Sequence, residues 1–224
     1  EDLDNSNTAI VLADESLLFP VLHNLPSTIK KLNVTIGSPL KNTTLFAFVE
    51  ALFKMQIYAE KHQNNAYYYK DIISVIEHPY FSKFADADEV LSFKRFIIKD
   101  NIVFISKIIL DASFKKSELS NIFDIWKEPE DALSCISRLI EDLKLFLVGV
   151  DASIESEVLI TFYNCWTILN NLLVENNFGI ELKTLQIVMQ QLVAKETIPF
   201  KGEPLKGVQL MGILESRTLD FRNV

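Results

Sequence analysis

The sequence predicts a mixed α/β fold that is mainly helical, and three observations lead to this prediction. The 224 residues include only six glycines and seven prolines, about half the usual share, whereas an all-β fold needs such residues in its frequent turns. Apolar residues recur with helical periodicity through the middle of the chain. Short apolar or β-branched runs, which are typical of strands, occur near the two ends. We therefore expect a small parallel-sheet domain formed by both termini and carrying a large helical insertion.

The first forty residues predict the order strand, helix, strand, which is the repeating unit of a parallel sheet. Residues 8–13 form a short, continuously apolar run and give the first strand. Asp14 is placed to cap a helix that extends to Asn24, and Pro20 makes that helix start late or bend. Residues 32–36 have the β-branched, alternating pattern of a second strand.

The chain from about residue 42 to about residue 196 is helical in pattern. The first of these helices starts at Asn42 or Thr43. Residues 90–110 could include strands, but the flanking pattern favours helix. The other helices, which keep the three-and-four spacing of apolar residues, are expected over residues 67–76, 132–147, 158–173 and 182–192.

Prolines and glycines between residues 197 and 207 end the helical run. Residues 208–213 and 219–224 then have the apolar pattern of strands. Segments that form sheet therefore lie at both ends of the chain. The predicted division is an α/β domain of residues 1–63 and 197–224, with a helical insertion of residues 64–196.

Composition and charge exclude several classes of protein. Hydrophobic residues make up 49% of the chain, which excludes wholesale disorder. The net charge of −8 gives no global attraction to nucleic acid or to an anionic membrane surface. Any nucleic-acid contact therefore has to be local or shared with a partner. No apolar run approaches the eighteen or so residues that a membrane-spanning helix needs.

The termini and the cysteines indicate the cellular compartment of the protein. The acidic, polar N-terminus is the reverse of a secretion signal. Cys135 and Cys165 lie among apolar residues in helical patterns, so we expect buried free thiols. These features indicate a cytoplasmic protein. The chain has no initiator methionine and stops within a strand-like segment, so we expect it to be a piece of a longer chain.

No catalytic motif is found in the sequence. It contains no GxxxxGK[ST] phosphate loop, no GxGxxG and no GxSxG. His23, His62 and His78 lie far apart, without cysteine or acidic residues at metal-ligand spacing. The acidic-x-Lys sequences at residues 142–144 and 181–183 match an element of metal-dependent nucleases, but both fall in amphipathic helices. We therefore expect no cofactor and no metal in this segment.

One aromatic run could have a functional role. Tyr67, Tyr68 and Tyr69 stand beside Lys70, and such side chains can stack on the bases of nucleic acid. Three aromatic residues at the start of a helix are more often half-buried packing, which is the favoured interpretation. Other basic residues occur as isolated doublets and form no stripe along the chain.

The two ends together resemble one known domain. The segment AIVLADESLLFPVL at residues 9–22, followed by LNVTIG at residues 32–37 and a helix, resembles the start of the second RecA-like domain of superfamily 1 helicases of the UvrD/Rep type. The segment VQLMGILESRTLDF at residues 208–221 is similar to the helicase motif VxLMTxHxxKGLEF. It looks most like the AddB-type subunit of bacterial helicase–nuclease complexes, in which a degenerate helicase portion precedes a nuclease domain of the PD-(D/E)XK family. Residues 67–81 also have the look of that family's helical insertion.

The chain departs from the helicase pattern at positions that contact ligands. Gly212 and Leu214 stand where the motif has a threonine and a histidine that help to contact single-stranded DNA. Arg217 and Thr218 replace its Lys-Gly pair. Asp14 aligns with an arginine that reaches the nucleotide in active helicases, and an aspartate repels phosphates. The resemblance therefore implies a helicase-derived fold without the apparatus for ATP turnover.

The resemblance also implies a function and partners. It implies a role in DNA double-strand-break repair, as a scaffold and part of a DNA channel, with no ATPase or nuclease activity in this segment. The implied partners are DNA, as single strands or duplex ends, and an AddA-like helicase subunit, with no membrane. ATP and Mg²⁺ would belong to the parent complex. The candidate DNA-contacting residues are Glu215, Ser216, Arg217, Thr218 and Asp220.

Two alternatives come from other classes of protein. A helical protein–protein interaction scaffold with no nucleic-acid role is favoured by the acidic balance and the 16 phenylalanines. A self-contained enzyme of another type would need an apolar pocket with convergent polar groups. Within the motif itself, Gly207 and Gly212 could serve only close strand packing, and Glu215 with Arg217 could be an ordinary surface ion pair.

Overall fold

The computed structural model describes residues 7–14, 17–29, 31–62, 66–114, 120–147, 154–176, 179–198, 207–217 and 219–224. The fold is mixed α/β, 61% helical, with a small three-stranded parallel sheet, which confirms the predicted class of a mainly helical α/β protein. The chain divides into two compact units. The sheet unit comprises Glu1–Leu40 and Glu196–Val224, and the helical unit comprises Lys41–Lys195.

Strands and helices are numbered here in chain order. The strands are β1 (Ala9–Leu12), β2 (Leu32–Val34), β3 (Ser38–Pro39), β4 (Ala66–Tyr68), β5 (Phe104–Ser106), β6 (Thr197–Ile198) and β7 (Val208–Gly212). The helices are α1 (Leu18–Asn24), α2 (Thr44–His62), α3 (Tyr69–Ile76), α4 (Pro79–Ser82), α5 (Ala87–Lys99), α6 (Lys107–Ser113), α7 (Pro129–Leu147), α8 (Ile154–Asn176) and α9 (Leu182–Val193). Short 3-10 turns cover Leu40–Asn42 and Ser120–Phe123.

The sheet unit is built on β7, which lies between β1 and β2 and runs parallel to both. Leu12 of β1 is paired with Gly212, and Val34 of β2 is paired with Leu210. All five residues of β7 are buried, as expected for the central strand of a parallel sheet. The sequence prediction that segments from both ends form one sheet is therefore confirmed for these three strands.

Helix α1 packs on one face of this sheet. Its Leu18 forms a buried cluster with Leu12, Ile36 and Leu210. The helix begins at Leu18, so that Pro20 occupies its first turn, where the missing backbone N–H breaks no helical hydrogen bond. The late start that Pro20 predicts is therefore observed. The predicted cap is wrong, since the N-cap position is Leu17 and not Asp14, and it makes no side-chain hydrogen bond.

A buried pair of amides ties β2 to β7. The Nδ2 of Asn33 donates to the Oε1 of Gln209 at 2.6 Å, and these two residues are also partners in the strand register. The Nε2 of Gln209 donates to the carbonyl of Gly207 at 3.0 Å. A register shift would separate these groups and leave buried amides unpaired, which costs about 1–3 kcal/mol for each group. The pair therefore helps to fix the register.

Two short pairings complete the sheet unit. β3 and β6 pair in antiparallel fashion, and the sequence did not predict either strand. The strand predicted over residues 219–224 is reduced to a single parallel bridge between Asn223 and Thr8. The amide of Ala9 donates to the Asn223 carbonyl at 2.9 Å. The final residues therefore extend the sheet at the outer edge of β1.

Helix α2 is the centre of the helical unit. Thr43, one of the two predicted first residues, caps it, since its Oγ1 accepts a hydrogen bond from the amide of Phe46 at 3.3 Å. The helix packs against α3, α4, α8 and α9. Because α2 packs against these helices, it belongs to the helical unit, which begins at Lys41. The predicted division begins the insertion later, at residue 64. The fully buried residues of α2 include Phe48, Val49, Leu52, Phe53 and Met55.

A two-stranded ribbon interrupts the predicted helical region, which corrects two predictions. Residues 67–76 were expected to be one helix, but β4 takes the first positions and α3 begins at Tyr69. The segment around residues 102–105 was expected to be helical, but β5 runs antiparallel to β4. Tyr67 and Ile105 are paired across the ribbon and both are fully buried. Burial of these two large side chains on one face stabilises a pairing that the local sequence does not predict.

Gln56 of α2 organises the loop that follows the second 3-10 turn. Its Nε2 donates to the carbonyl of Asp124 at 2.8 Å and to the Tyr67 hydroxyl at 3.1 Å. Its Oε1 accepts a hydrogen bond from the amide of Trp126 at 3.1 Å. The Tyr67 hydroxyl in turn donates to the Phe123 carbonyl at 2.9 Å. Burial raises the pKa of the Tyr67 phenol well above its ordinary value, so Tyr67 remains a neutral donor.

Candidate nucleic-acid interface

The carboxyl ends of β1 and β7 meet at one edge of the small sheet, because the strands are parallel and Leu12 is paired with Gly212. Ligands of open α/β sheets bind at this kind of edge. The segment after β1 contains Asp14, and the segment after β7 contains the predicted DNA-contacting loop. The predicted residues therefore begin at the edge where the fold favours a binding site.

A compact turn carries the predicted loop away from β7. The amide of Ser216 donates to the Gly212 carbonyl at 3.2 Å, and the amide of Arg217 donates to the Leu214 carbonyl at 3.4 Å. The Ser216 hydroxyl donates to the carbonyl of Ile213 at 2.7 Å. The backbone amide and the hydroxyl of Ser216 therefore both donate hydrogen bonds within the turn, and this serine is half-buried.

The Glu215 side chain folds back over Gly212 at the end of β7. A Cβ atom at position 212 would collide with the Glu215 carboxylate, which lies against the glycine backbone. The threonine of the helicase motif could not occupy this position without displacing Glu215.

The structure places the predicted contact residues as follows. Glu215, Arg217 and Asp220 are exposed, Ser216 is half-buried, and Thr218 lies outside the described residues. Among the described members of the set, two carboxylates oppose one guanidinium. Exposed apolar side chains flank them, since Leu214 is 66% exposed. This surface can offer Arg217 to a phosphate, but its acidic groups weaken that contact.

Two carboxylates lie at this edge of the sheet. Asp14 is exposed at the end of β1, and Glu215 lies over the end of β7, so that carboxylates occupy both strand ends. Carboxylates repel phosphate oxygens, and arginine or lysine is the residue that clamps them. No step of ATP chemistry is therefore assigned to these residues.

A second surface, in the helical unit, contains the tyrosines that the sequence singled out. Tyr67 is fully buried, which confirms the packing interpretation for that residue. Tyr68 and Tyr69 lie only half-buried, and Tyr68 stacks on Tyr58 of α2 with ring centroids 5.4 Å apart. Phe104 of β5 completes the group, 6.1 Å from Tyr68. Sequence reasoning missed Tyr58 and Phe104, because only the β4–β5 pairing and the packing of α2 bring them to this surface.

The histidine and cysteine residues supply no reactive centre in the described parts of the chain. His78 accepts a hydrogen bond at Nδ1 from the amide of Tyr80 and stacks on Phe48, and burial lowers its pKa. Cys135 and Cys165 are buried and form no disulfide, as predicted. The described residues contain no group of three or more acidic, histidine or cysteine side chains that could hold a metal ion. None of the described helices is long and apolar enough to cross a bilayer.

A shallow groove lies between α7 and α8 in the described part of the chain. It has a volume of about 370 Å³. Trp166 forms part of its wall and donates from Nε1 to the Ser137 hydroxyl at 3.0 Å. Arg138 and Glu141 also line the groove. Its lining residues include no pairing of a nucleophile with a base.

Comparison with models of known protein families, with curated proteins and with solved structures gives no match to this chain.

Proposed function

We propose that this chain is a non-catalytic, helicase-derived segment of an AddB-like helicase–nuclease that acts in DNA double-strand-break repair. In this proposal the sheet unit corresponds to a second RecA-like domain and the helical unit corresponds to its insertion. The segment serves as scaffold and as part of a DNA channel. ATP hydrolysis and DNA cleavage belong to other parts of the complex, which includes an AddA-like subunit.

The topology of the sheet unit is the observation that carries this proposal. β7 comes from the end of the chain and lies between β1 and β2, and the helical unit separates them in sequence. The segments that resemble the opening and closing motifs of one helicase domain are thus neighbours in one parallel sheet. An insertion between strands of a parallel sheet is the arrangement that the resemblance implies.

The chemistry of the strand ends supports a non-catalytic role. Asp14 and Glu215 place carboxylates at the ends of β1 and β7, and carboxylates repel phosphates. Arg217 remains exposed as the basic group of the loop after β7. The expected contact with DNA at this edge is therefore weak, sequence-independent and sensitive to salt.

A binding titration tests the proposal. The 224-residue chain is titrated against fluorescently labelled single strands, blunt duplexes and duplexes with a single-stranded tail, at 50 mM and 200 mM salt. We expect binding in the range of about 1–100 μM that weakens at the higher salt, with preference for the tailed duplex over the blunt one. We expect no ATP turnover.

Two variants sharpen this test. Arg217→Glu removes the basic group of the predicted loop and reverses its charge, so it should weaken binding to the tailed duplex. Arg95→Glu makes the same charge change at an exposed position of α5 and serves as the matched control. Robust ATP turnover, or the absence of any DNA binding at 50 mM salt, contradicts the proposal.

An interaction scaffold without a nucleic-acid role is the second candidate, and one observation favours it. Helix α8 exposes Ile160, Ile168 and Leu172, and the end of α7 exposes Leu145 and Phe146, with Leu145 73% exposed. Exposed apolar groups of this kind are typical of surfaces that bind other proteins. The scaffold is supported if all three DNA forms fail to bind at 50 mM salt.

A further inference from the structure

We propose that a tyrosine–lysine surface of the helical unit binds single-stranded nucleic acid. This surface is formed by α2, by β4 with the start of α3, and by β5. Its ligand class rests on the proposed function, but its location does not, because the predicted DNA-contacting loop belongs to the sheet unit. Its members are Tyr58, Tyr68, Tyr69, Phe104, Lys54, Lys61 and Lys70.

The aromatic rings form one connected group around Tyr68. The rings of Tyr58 and Tyr68 are stacked, with centroids 5.4 Å apart and planes at 29°. Tyr69 meets Tyr68 edge-on at 5.0 Å, and Phe104 lies 6.1 Å from it. Tyr68 is thus enclosed by other rings, which fixes its position. Tyr69 and Phe104 stand at the margin of the group, and Phe104 is 42% exposed.

The lysines follow the same surface. Lys54, Tyr58 and Lys61 are spaced by four and three residues along α2, so they share one face of that helix. Lys54, Lys61 and Lys70 are all exposed, and the Nζ of Lys70 lies 6.0 Å from the centre of the Tyr69 ring. Cations therefore flank the aromatic group on both α2 and α3.

An acidic group in this surface, Asp71, is paired with a lysine. Asp71 is only 4% exposed, and its Oδ1 lies 3.3 Å from the Nζ of Lys54. Lys54 is paired with Asp71, and Lys61 and Lys70 add two further positive charges to this surface. A local excess of positive charge on a chain of net charge −8 distinguishes this surface from the acidic loop after β7.

Interleaved aromatic rings and lysines are the two elements that unspecific single-strand binding needs. A base presents a flat face that can stack on an exposed ring, and the phosphates on either side are attracted to the lysines. A duplex hides its base faces within the stack, so it could use only the lysines. The surface therefore favours single strands over duplexes, and ring stacking and ammonium contacts do not distinguish DNA from RNA.

The test uses the intact 224-residue chain and fluorescence anisotropy of labelled dT20 and rU20 in 50 mM salt. We expect both strands to bind with affinities within several-fold of each other and a blunt duplex to bind more weakly. Two lysine–phosphate contacts, from Lys61 and Lys70, give a salt dependence of log affinity with a slope of roughly −1.4. Tyr69→Ala should lower affinity for dT20 about tenfold, whereas Tyr69→Phe, which keeps the ring, should bind like the parent chain.

The charge variants have a matched control. Lys61→Glu with Lys70→Glu should reduce dT20 binding below detection, since two attractive contacts become repulsive. Lys41→Glu with Lys183→Glu changes the net charge equally at exposed positions away from this surface. Tyr163→Ala removes a tyrosine from another tyrosine–lysine pair, where Lys144 Nζ lies 3.9 Å from the ring centre. Both control variants should bind like the parent chain, and circular dichroism verifies that every variant is folded.

The outcomes separate this surface from the proposed function. If dT20 binding is unchanged in the Tyr69→Ala and lysine variants, or falls equally in the controls, the surface is refuted while DNA binding by the chain stands. If binding is lost only in the surface variants but tailed duplexes bind no better than blunt ones, the surface is supported and the repair function is not. Failure of both dT20 and rU20 to bind refutes the surface.

Discussion

Replacement of Gln56 by leucine should destabilise the helical unit by an amount that the hydrogen bonds allow us to work out. The change preserves side-chain size but removes a donor to the Asp124 carbonyl and an acceptor for the Trp126 amide. A buried backbone group without a partner costs about 1–3 kcal/mol, and the leucine recovers part of this by apolar packing. Tyr67 keeps its bond to the Phe123 carbonyl. We expect a net loss of about 2–3 kcal/mol.

Urea unfolding followed by tryptophan fluorescence measures this loss. Both tryptophans of the chain, Trp126 and Trp166, lie buried in the helical unit and report on its unfolding. For a urea slope of about 2 kcal/mol per molar, the midpoint should fall by about 1 M or more. Gln191→Leu makes the same change at an exposed position of α9 and should leave the midpoint within about 0.3 M. Equal midpoints for the Gln56 variant and the parent chain would refute the structural role of this network.

Three further predictions concern single positions. Gly207 has a φ of 78°, and a Cβ there would collide with the Lys31 backbone, so Gly207→Ala should lower the free energy of unfolding by about 2–3 kcal/mol, measured by thermal unfolding. Gly179→Ala is the control and should be nearly neutral, because a Cβ at that position meets nothing within 4 Å. Equal effects of the two substitutions would contradict this reasoning. Burial lowers the pKa of His78, so the folded state resists protonation, and stability should fall as the pH drops below about 6.5, where the unfolded chain takes up the proton. His78→Asn, which keeps a capping acceptor, should reduce this loss between pH 7 and pH 5.5, and an identical pH profile would contradict it. Burial raises the pKa of the Cys135 thiol to about 12, so a thiol reagent at pH 8 should label Cys135 only after the chain unfolds. Mass spectrometry measures the labelling, and rapid labelling of Cys135 in the native chain would refute the prediction.

The parts of the fold that depend on local pattern could be predicted from the sequence. The apolar runs of β1, β2 and β7, and the periodic apolar positions of α2, α7, α8 and α9, each identify an element without reference to the rest of the chain. The β4–β5 ribbon could not be predicted in this way. Tyr67 and Ile105 are stabilised by each other and by the core, and helical patterns surround both segments. Short strands of this kind are determined by tertiary packing and not by propensity.

The candidate sites could also be predicted from the sequence only in part. The sequence indicated that residues 214–217 follow a strand, and the structure places them at the edge of the sheet. It could not show that the Glu215 carboxylate folds over Gly212, because that contact depends on the turn geometry. Similarly, Tyr68 and Tyr69 were visible as a run, but Tyr58 and Phe104 join them only through packing across different elements.

Photocross-linking to a single strand that carries 5-iododeoxyuridine tests the central claim most directly, because it identifies the protein residues that touch the nucleic acid. The cross-linked chain is digested and the modified peptides are sequenced by mass spectrometry. We predict adducts at Tyr69 or Phe104, on the tyrosine–lysine surface, that disappear in the Lys61→Glu, Lys70→Glu double variant. Adducts confined to the exposed apolar residues of α8, or no adduct at all in 50 mM salt, would contradict binding of single-stranded DNA at the tyrosine–lysine surface.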